Sequence, residues 1–205
     1  MKDSRQKLSY CIGLEAAKNI KGQFKDIDPT LLKEGFADAL AEKTPRLESD
    51  EITKILQALQ KQVHEQQKSF IEEIARKNKV EGEQFLAKSR QKEGVVALPS
   101  GLQYKIQRSG SGPSPTMYDT VSVNYRGTLI DGTVFDSTYE RKQPVEFPVS
   151  RVIPGWSEAL KLMKVGDQWQ IFIPSYLAYG ENGYGPQIEP NSTLIFEMEL
   201  VKIHS

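Results

Sequence analysis

Residues 152–174 read VIPGWSEALKLMKVGDQWQIFIP. Two β-branched residues, a proline and a glycine lead directly into Trp156, one of only two tryptophans. From there GWSEALKLM predicts a single short helix. WQIFIP then changes period, placing Trp169, Ile171 and Ile173 on one face of a strand. The same alternation recurs on both sides. GLQYKIQ alternates Leu102, Tyr104 and Ile106, while TVSVNYRGTLIDGTVFDS alternates Val121, Val123 and Tyr125 before turning at Asp131-Gly132, a strong hairpin signal. STLIFEMELVKI supplies Leu194, Phe196, Met198 and Leu200. Several antiparallel strands around one helix predict an α+β domain over residues 96–205.

Residues 1–95 have the other period. SYCIGLEAAKNI sets Tyr10, Leu14 and Ala17 on one face, with Gly13 and Ala17 as a small-xxx-small pair. Asp28 and Pro29 form an N-cap and first-turn proline, and Leu31, Leu32, Phe36, Ala39 and Leu40 follow at helical spacing. A third run starts with Ser49 or Asp50 as cap and has no proline until Pro99, with Ile52, Leu56, Leu59, Val63 and Phe70 along one stripe. Unbroken, it is a helix of about 40 residues spanning roughly 60 Å. Beyond Ile74 it is nearly all polar, which suits a solvated spacer, and Gly82 is expected to mark a bend. The expected organisation is a helical module at 1–48, a connecting stalk at 49–95 and the α+β domain. Two short helices make a poor core alone, so two copies associating through residues 1–48 are favoured over a monomeric cap folded on the stalk.

Lys+Arg and Asp+Glu both number 27, so no basic excess points to nucleic acid. Cys11 is the sole cysteine, excluding an internal disulfide and a thiolate zinc site. No stretch approaches the ~20 apolar residues of a membrane helix, and MKDSRQKLSYCIG lacks an apolar leader core, so the text itself reads as cytoplasmic. His64 and His204 stand outside the α+β half or at its end, which argues against Ser-His or Cys-His nucleophiles. No phosphate-cradling glycine loop is present. Asp136, Glu158 and Asp167 are too scattered for a carboxylate pair or metal site. No metal or cofactor is expected. Aromatic residues near turns are what remains.

VNYRGTLIDGTVFDST, VIPGWSEALKLMKVGDQWQIFIP, LAYG and NSTLIFEMEL, in that order, resemble the FKBP-type peptidyl-prolyl isomerases over about residues 95–203. KLSYCIG, GFADALAEK and GEQFLAKSRQKEGVVALPSGLQYK are further similar to the macrophage infectivity potentiator (Mip) subgroup of Gram-negative bacteria. The resemblance implies an antiparallel sheet wrapped on a short helix, with Trp156 flooring an apolar hollow that receives a proline ring. It implies Tyr125, Phe135, Asp136, Trp156, Tyr179 and Phe196 as the catalytic set. Arg141, Phe147, Val152, Ile153, Tyr184 and Ile188 are the implied substrate-binding residues, with Arg141 reaching Asp136. Asp136 then either polarises the site or pairs with Arg141 to hold the wall. Glu189 stands where the family often has proline, Val145 where an aromatic is frequent, and Arg151 where an acidic or polar group is usual. These departures bear on substrate preference and macrolide affinity.

The implied partners are proline-containing unfolded or partly folded chains and rapamycin-like macrolides. Mip resemblance also implies a periplasmic or outer-membrane setting if a leader was removed. No reactive group is required for the implied reaction. Rotation about Xaa-Pro has a barrier of ~18–20 kcal/mol from lost amide resonance, and lowering it by about 6 kcal/mol accelerates it roughly ten-thousand-fold. Water favours the charge-separated planar amide, so an aromatic box that withholds water stabilises the twisted form relatively. The other reading is a catalytically weak module that holds proline segments or macrolides as a chaperone or partner protein.

Overall fold

The computed structural model describes residues 3–24, 26–139 and 143–204. These fall into two compact units, 1–62 and 63–205, divided inside one helix.

The first unit holds α1 (Ser4–Gln23), α2 (Pro29–Leu40) and the start of α3 (Ser49–Ser89). The Asp28 carboxylate accepts from the Thr30 and Leu31 amides at 2.8 and 3.2 Å, with Pro29 at the first position of α2. That satisfies two donors which every helix start leaves open. Neither α1 nor α2 contains a buried residue. Gly13, Ala17, Phe24, Leu32, Phe36 and Leu40 line an apolar hollow of about 560 Å³. Cys11 is exposed on α1.

The second unit begins within α3, which runs unbroken to Ser89. Gly82 does not interrupt it; it is buried, as are Leu86 and Ser89. Phe85 packs on Phe172 with ring centroids 5.9 Å apart, and the Gln103 side-chain amide donates to the Leu86 carbonyl at 2.9 Å. The polar stretch beyond Ile74 is therefore docked along one edge rather than solvated all round. Its few apolar and small residues share that edge, and their spacing is too sparse to register as a stripe.

Seven strands follow: β1 (Val95–Ala97), β2 (Gln103–Arg108), β3 (Thr120–Leu129), β4 (Val134–Ser137), β5 (Val145–Pro148), β6 (Gln168–Ile173) and β7 (Leu194–His204). They form one antiparallel sheet in the order β1-β2-β6-β7-β3-β4, with β5 also paired to β3. The period-two pattern has a direct cause. Leu194, Phe196, Met198 and Leu200 of β7 point into the core, whereas Ile195, Glu197 and Glu199 between them are only half-buried. The short helix α4 (Pro154–Leu162) also packs against the sheet and buries Gly155, Trp156, Ala159 and Leu160. Burying a side chain such as Leu160, fully enclosed here, is worth about 1.5–3 kcal/mol. Among the described residues no helix is long and apolar enough to cross a membrane.

Candidate functional site

Trp156 owes its place to the turn that precedes it. Val152 is extended, Ile153 caps the helix start, Pro154 opens α4, and the Ile153 carbonyl accepts from the Trp156 and Ser157 amides at 3.0 and 3.1 Å. The glycine before the tryptophan is a packing requirement. A Cβ on Gly155 would lie 2.5 Å from the Ile173 methyl, so only glycine lets α4 settle this closely on β6. The first turn of α4 thereby delivers the indole to the sheet with 5% of its surface exposed.

Three rings meet that indole nearly edge-on. Tyr125 of β3, Phe196 of β7 and Phe147 of β5 lie at 4.9, 5.0 and 5.6 Å between centroids, with interplanar angles of 79°, 82° and 88°. Phe135 of β4 stands edge-on to Phe196 at 5.5 Å. Edge-to-face pairs place ring hydrogens over the electron-rich face, worth about 0.5–1.5 kcal/mol beyond area burial. Gly127 makes the last pair possible, because a Cβ there would lie 2.6 Å from the Phe135 ring and 2.9 Å from that of Phe196. A lone glycine inside a strand pattern signals such close approach, a signal that sequence reading passed over at this position. It also passed over Thr138, fully buried, whose hydroxyl accepts from the Tyr125 amide at 2.8 Å and holds that residue at the end of β4.

Phe135, Phe147, Val152, Ile153 and Tyr179 are half-buried and pack against the buried cluster that contains Tyr125, Trp156, Ile188 and Phe196. Asp136 joins through the Tyr125 hydroxyl, which donates to its Oδ2, while the Ser137 amide donates to Oδ1 at 2.8 Å. Tyr179 stacks on Tyr184 at 4.8 Å, Tyr184 being mostly exposed. Tyr184 and Ile188 exchange backbone hydrogen bonds of 2.7 and 3.2 Å that close the loop between them. Of the expected residues, Tyr125, Phe147 and Phe196 thus meet Trp156 directly, and Phe135 and Asp136 join through Phe196 and Tyr125. Val152, Ile153, Tyr179 and Ile188 belong to or pack on the same buried cluster, and Tyr184 is reached through Tyr179. Arg141, expected to reach Asp136, lies outside the described residues.

Other carboxylates have local duties. Glu158 accepts from the Ser100 hydroxyl at 2.9 Å, and buried Asp167 accepts from the Gly110 and Lys164 amides. Of the departures from the family pattern, Val145 pairs with Val123 across β5 and β3, Arg151 is exposed, and Glu189 is held by Asn78.

Burial, with Tyr184 and Asp136 nearby, pushes the Tyr179 phenol above its ordinary value of 10.0. A raised phenol stays protonated, and so remains a hydrogen-bond donor, beyond the pH at which free tyrosine ionises. Activity that depends on this donor is expected to stay flat from about pH 6 to about pH 9. A pH profile of kcat/KM checks this, and a fall within that window that Tyr179→Phe removes would contradict it.

The buried Trp156 indole, its edge-on rings and the half-buried residues packed beside them offer an apolar surface with one phenol and one carboxylate at hand. The sequence profile described as FKBP-type peptidyl-prolyl cis-trans isomerase matches residues 112–201, and that of the domain amino-terminal to such isomerases matches residues 5–106. The chain belongs to the FKBP-type peptidyl-prolyl cis-trans isomerases. Among its relatives, Outer membrane protein MIP of Legionella longbeachae is 45% identical over 199 residues, covering 97% of this chain and 85% of that one. The FKBP-type 22 kDa peptidyl-prolyl cis-trans isomerase of Escherichia coli is 43% identical over 196 residues, covering 95% and 93%. The crystal structure of FkpA from Escherichia coli superposes with a TM-score of 0.79 at 37% identity, covering 99% of this chain and 98% of that one. This protein is accordingly an enzyme that accelerates cis-trans rotation about Xaa-Pro bonds.

Proposed function

We propose that the isomerase acts by desolvation over Trp156, with the proline ring seated on the indole and walled by Tyr125, Phe135, Phe147, Val152, Ile153, Ile188 and Phe196. Supporting this above all is the buried Trp156 ringed edge-on by three aromatics, with half-buried apolar residues packed beside them. In that setting the planar amide loses the water that favours its charge separation, and the twisted amide loses less. Tyr179 donates to a substrate carbonyl, and Asp136 fixes the Tyr125 ring through its hydroxyl. Tyr184 and Ile188 cover the bound segment. Rapamycin-like macrolides, which present a comparable ring and carbonyls, bind the same hollow as inhibitors. A protease-free isomerisation assay on short Xaa-Pro peptides tests the catalytic reading. Folded protein that gives no rate gain would leave only the binding-module alternative.

Residues 96–205 are proposed as the isomerase domain, 1–48 as a dimerisation module and 49–95 as the connector. The exposed apolar residues of α1 and α2, with no buried residue on either helix, support association of two copies. Helices this short gain little stability in water without a packed apolar face. A dimer presents two isomerase sites to one unfolded client and retains it by double attachment, a chaperone-like action. The proposed compartment is the cell envelope, supported by a relative named as an outer membrane protein; the cytoplasmic expectation finds no such support. Cell fractionation followed by immunodetection distinguishes the two.

A further inference from the structure

Between β6 and β7 the chain passes through a loop that contributes Tyr179, Tyr184 and Ile188 to the site. This loop is braced within itself. Beyond the Tyr184–Ile188 pair, the Asn191 amide donates to the Gly180 carbonyl at 2.8 Å, and the Ser192 hydroxyl to the Glu189 carbonyl at 2.7 Å. A lobe tied in this way moves as a piece, so whatever holds its base sets the position of its tip.

Its base rests on α3. The Asn78 side-chain amide donates to Glu189 Oε2 at 3.1 Å and to the Pro190 carbonyl at 3.0 Å. In the reverse direction the Asn191 side chain donates to the Ala75 carbonyl at 3.3 Å. Asn191 has φ of 58°, a left-handed backbone that asparagine tolerates better than most residues. One turn further along α3, Gly82 is buried, and a Cβ there would lie 2.2 Å from Thr193 Oγ1. Thr193 is itself buried and immediately precedes β7. Ala75, Asn78 and Gly82 share one face of the helix at spacings of three and four. All these residues belong to the second compact unit.

We propose that this face of α3 seats the loop that covers the isomerase site, with Asn78 and Gly82 as positioning residues for substrate binding. The inference rests on the reading of Tyr179, Tyr184 and Ile188 as site residues. It gives Glu189 a role turned toward α3: its carboxylate anchors the lobe instead of meeting substrate. It also makes the end of the stalk part of the isomerase itself.

The test uses the full-length chain and short Xaa-Pro peptides. Gly82→Ala favours helix, so α3 is not weakened, but its methyl must displace Thr193. It is expected to raise KM at least threefold with kcat within twofold of the parent. Adding Thr193→Ala removes the Oγ1, leaves only a Cβ at 3.2 Å, and is expected to bring KM at least halfway back to the parent value. Asn78→Ala is expected to raise KM similarly, and Glu189→Ala added to it to change little more, because both break one anchor. Unchanged KM in folded Asn78→Ala overturns the proposal whatever Gly82→Ala does, and so does a proportional loss of kcat and stability without a KM effect. Should Tyr184→Ala and Ile188→Ala also leave KM unchanged, the site reading fails instead of the seat alone.

Discussion

Replacing Trp156 by alanine is expected to cut kcat/KM for short Xaa-Pro peptides by about a hundredfold or more while leaving most of the protein folded. The magnitude follows from the mechanism. If water exclusion supplies most of a ten-thousand-fold acceleration, opening the floor to water forfeits about half of that free energy, roughly 2.7 kcal/mol. The indole also holds three edge-on neighbours, so truncation costs about 3–5 kcal/mol of stability. Trp156→Phe separates the two effects. It keeps an apolar floor and removes an indole N–H that is buried with no hydrogen-bond partner, so it should retain more stability and more activity than alanine. Protease-free isomerisation rates, read beside thermal melting, decide the matter. A folded alanine variant with activity within tenfold of the parent would reject the desolvating floor.

A second large effect is expected from a single charge in the helical module. Leu32 lines the apolar hollow between α1 and α2. Leu32→Asp puts a carboxylate where a second copy is proposed to pack, and a buried unpaired charge is strongly unfavourable. The variant should run as a monomer in light scattering where the parent runs as a dimer. Peptide isomerisation should remain within twofold, because the aromatic site is untouched. Refolding of a proline-limited protein substrate should slow by about tenfold or more, since double attachment raises effective affinity by about 10²–10⁴. A parent chain that is already monomeric rejects association. A monomeric variant with undiminished refolding activity rejects the tethered-client scheme.

The sheet was legible because its strands bury one face. Leu194, Phe196, Met198 and Leu200 announce β7 by strict alternation, and Asp28-Pro29 announces α2 by its cap. β1 and β5 were not marked, for they are only three and four residues long and too short to establish a period. The aromatic site was legible through motif resemblance rather than spacing, since its rings come from β3, β4, β5, β7, α4 and the β6–β7 loop. What no local pattern could disclose is contact over long separation. Asn78 and Glu189 are 111 positions apart, and neither a polar asparagine on the stalk nor a glutamate at a frequent proline position points to the other. Gly82 illustrates the same limit. Its cost to helix propensity is visible in the sequence, while the threonine that requires it is visible only in three dimensions.

The lack of any buried residue on α1 and α2, against a densely enclosed core in the second unit, carries over into how the molecule responds to heat. In the proposed dimer the amino-terminal helices draw their stability from encounter with another copy, so mass action governs it. Calorimetry should then resolve two steps: a lower one that climbs as the sample is concentrated, and an upper one indifferent to dilution. At low abundance the chain would keep its catalyst and shed its partner.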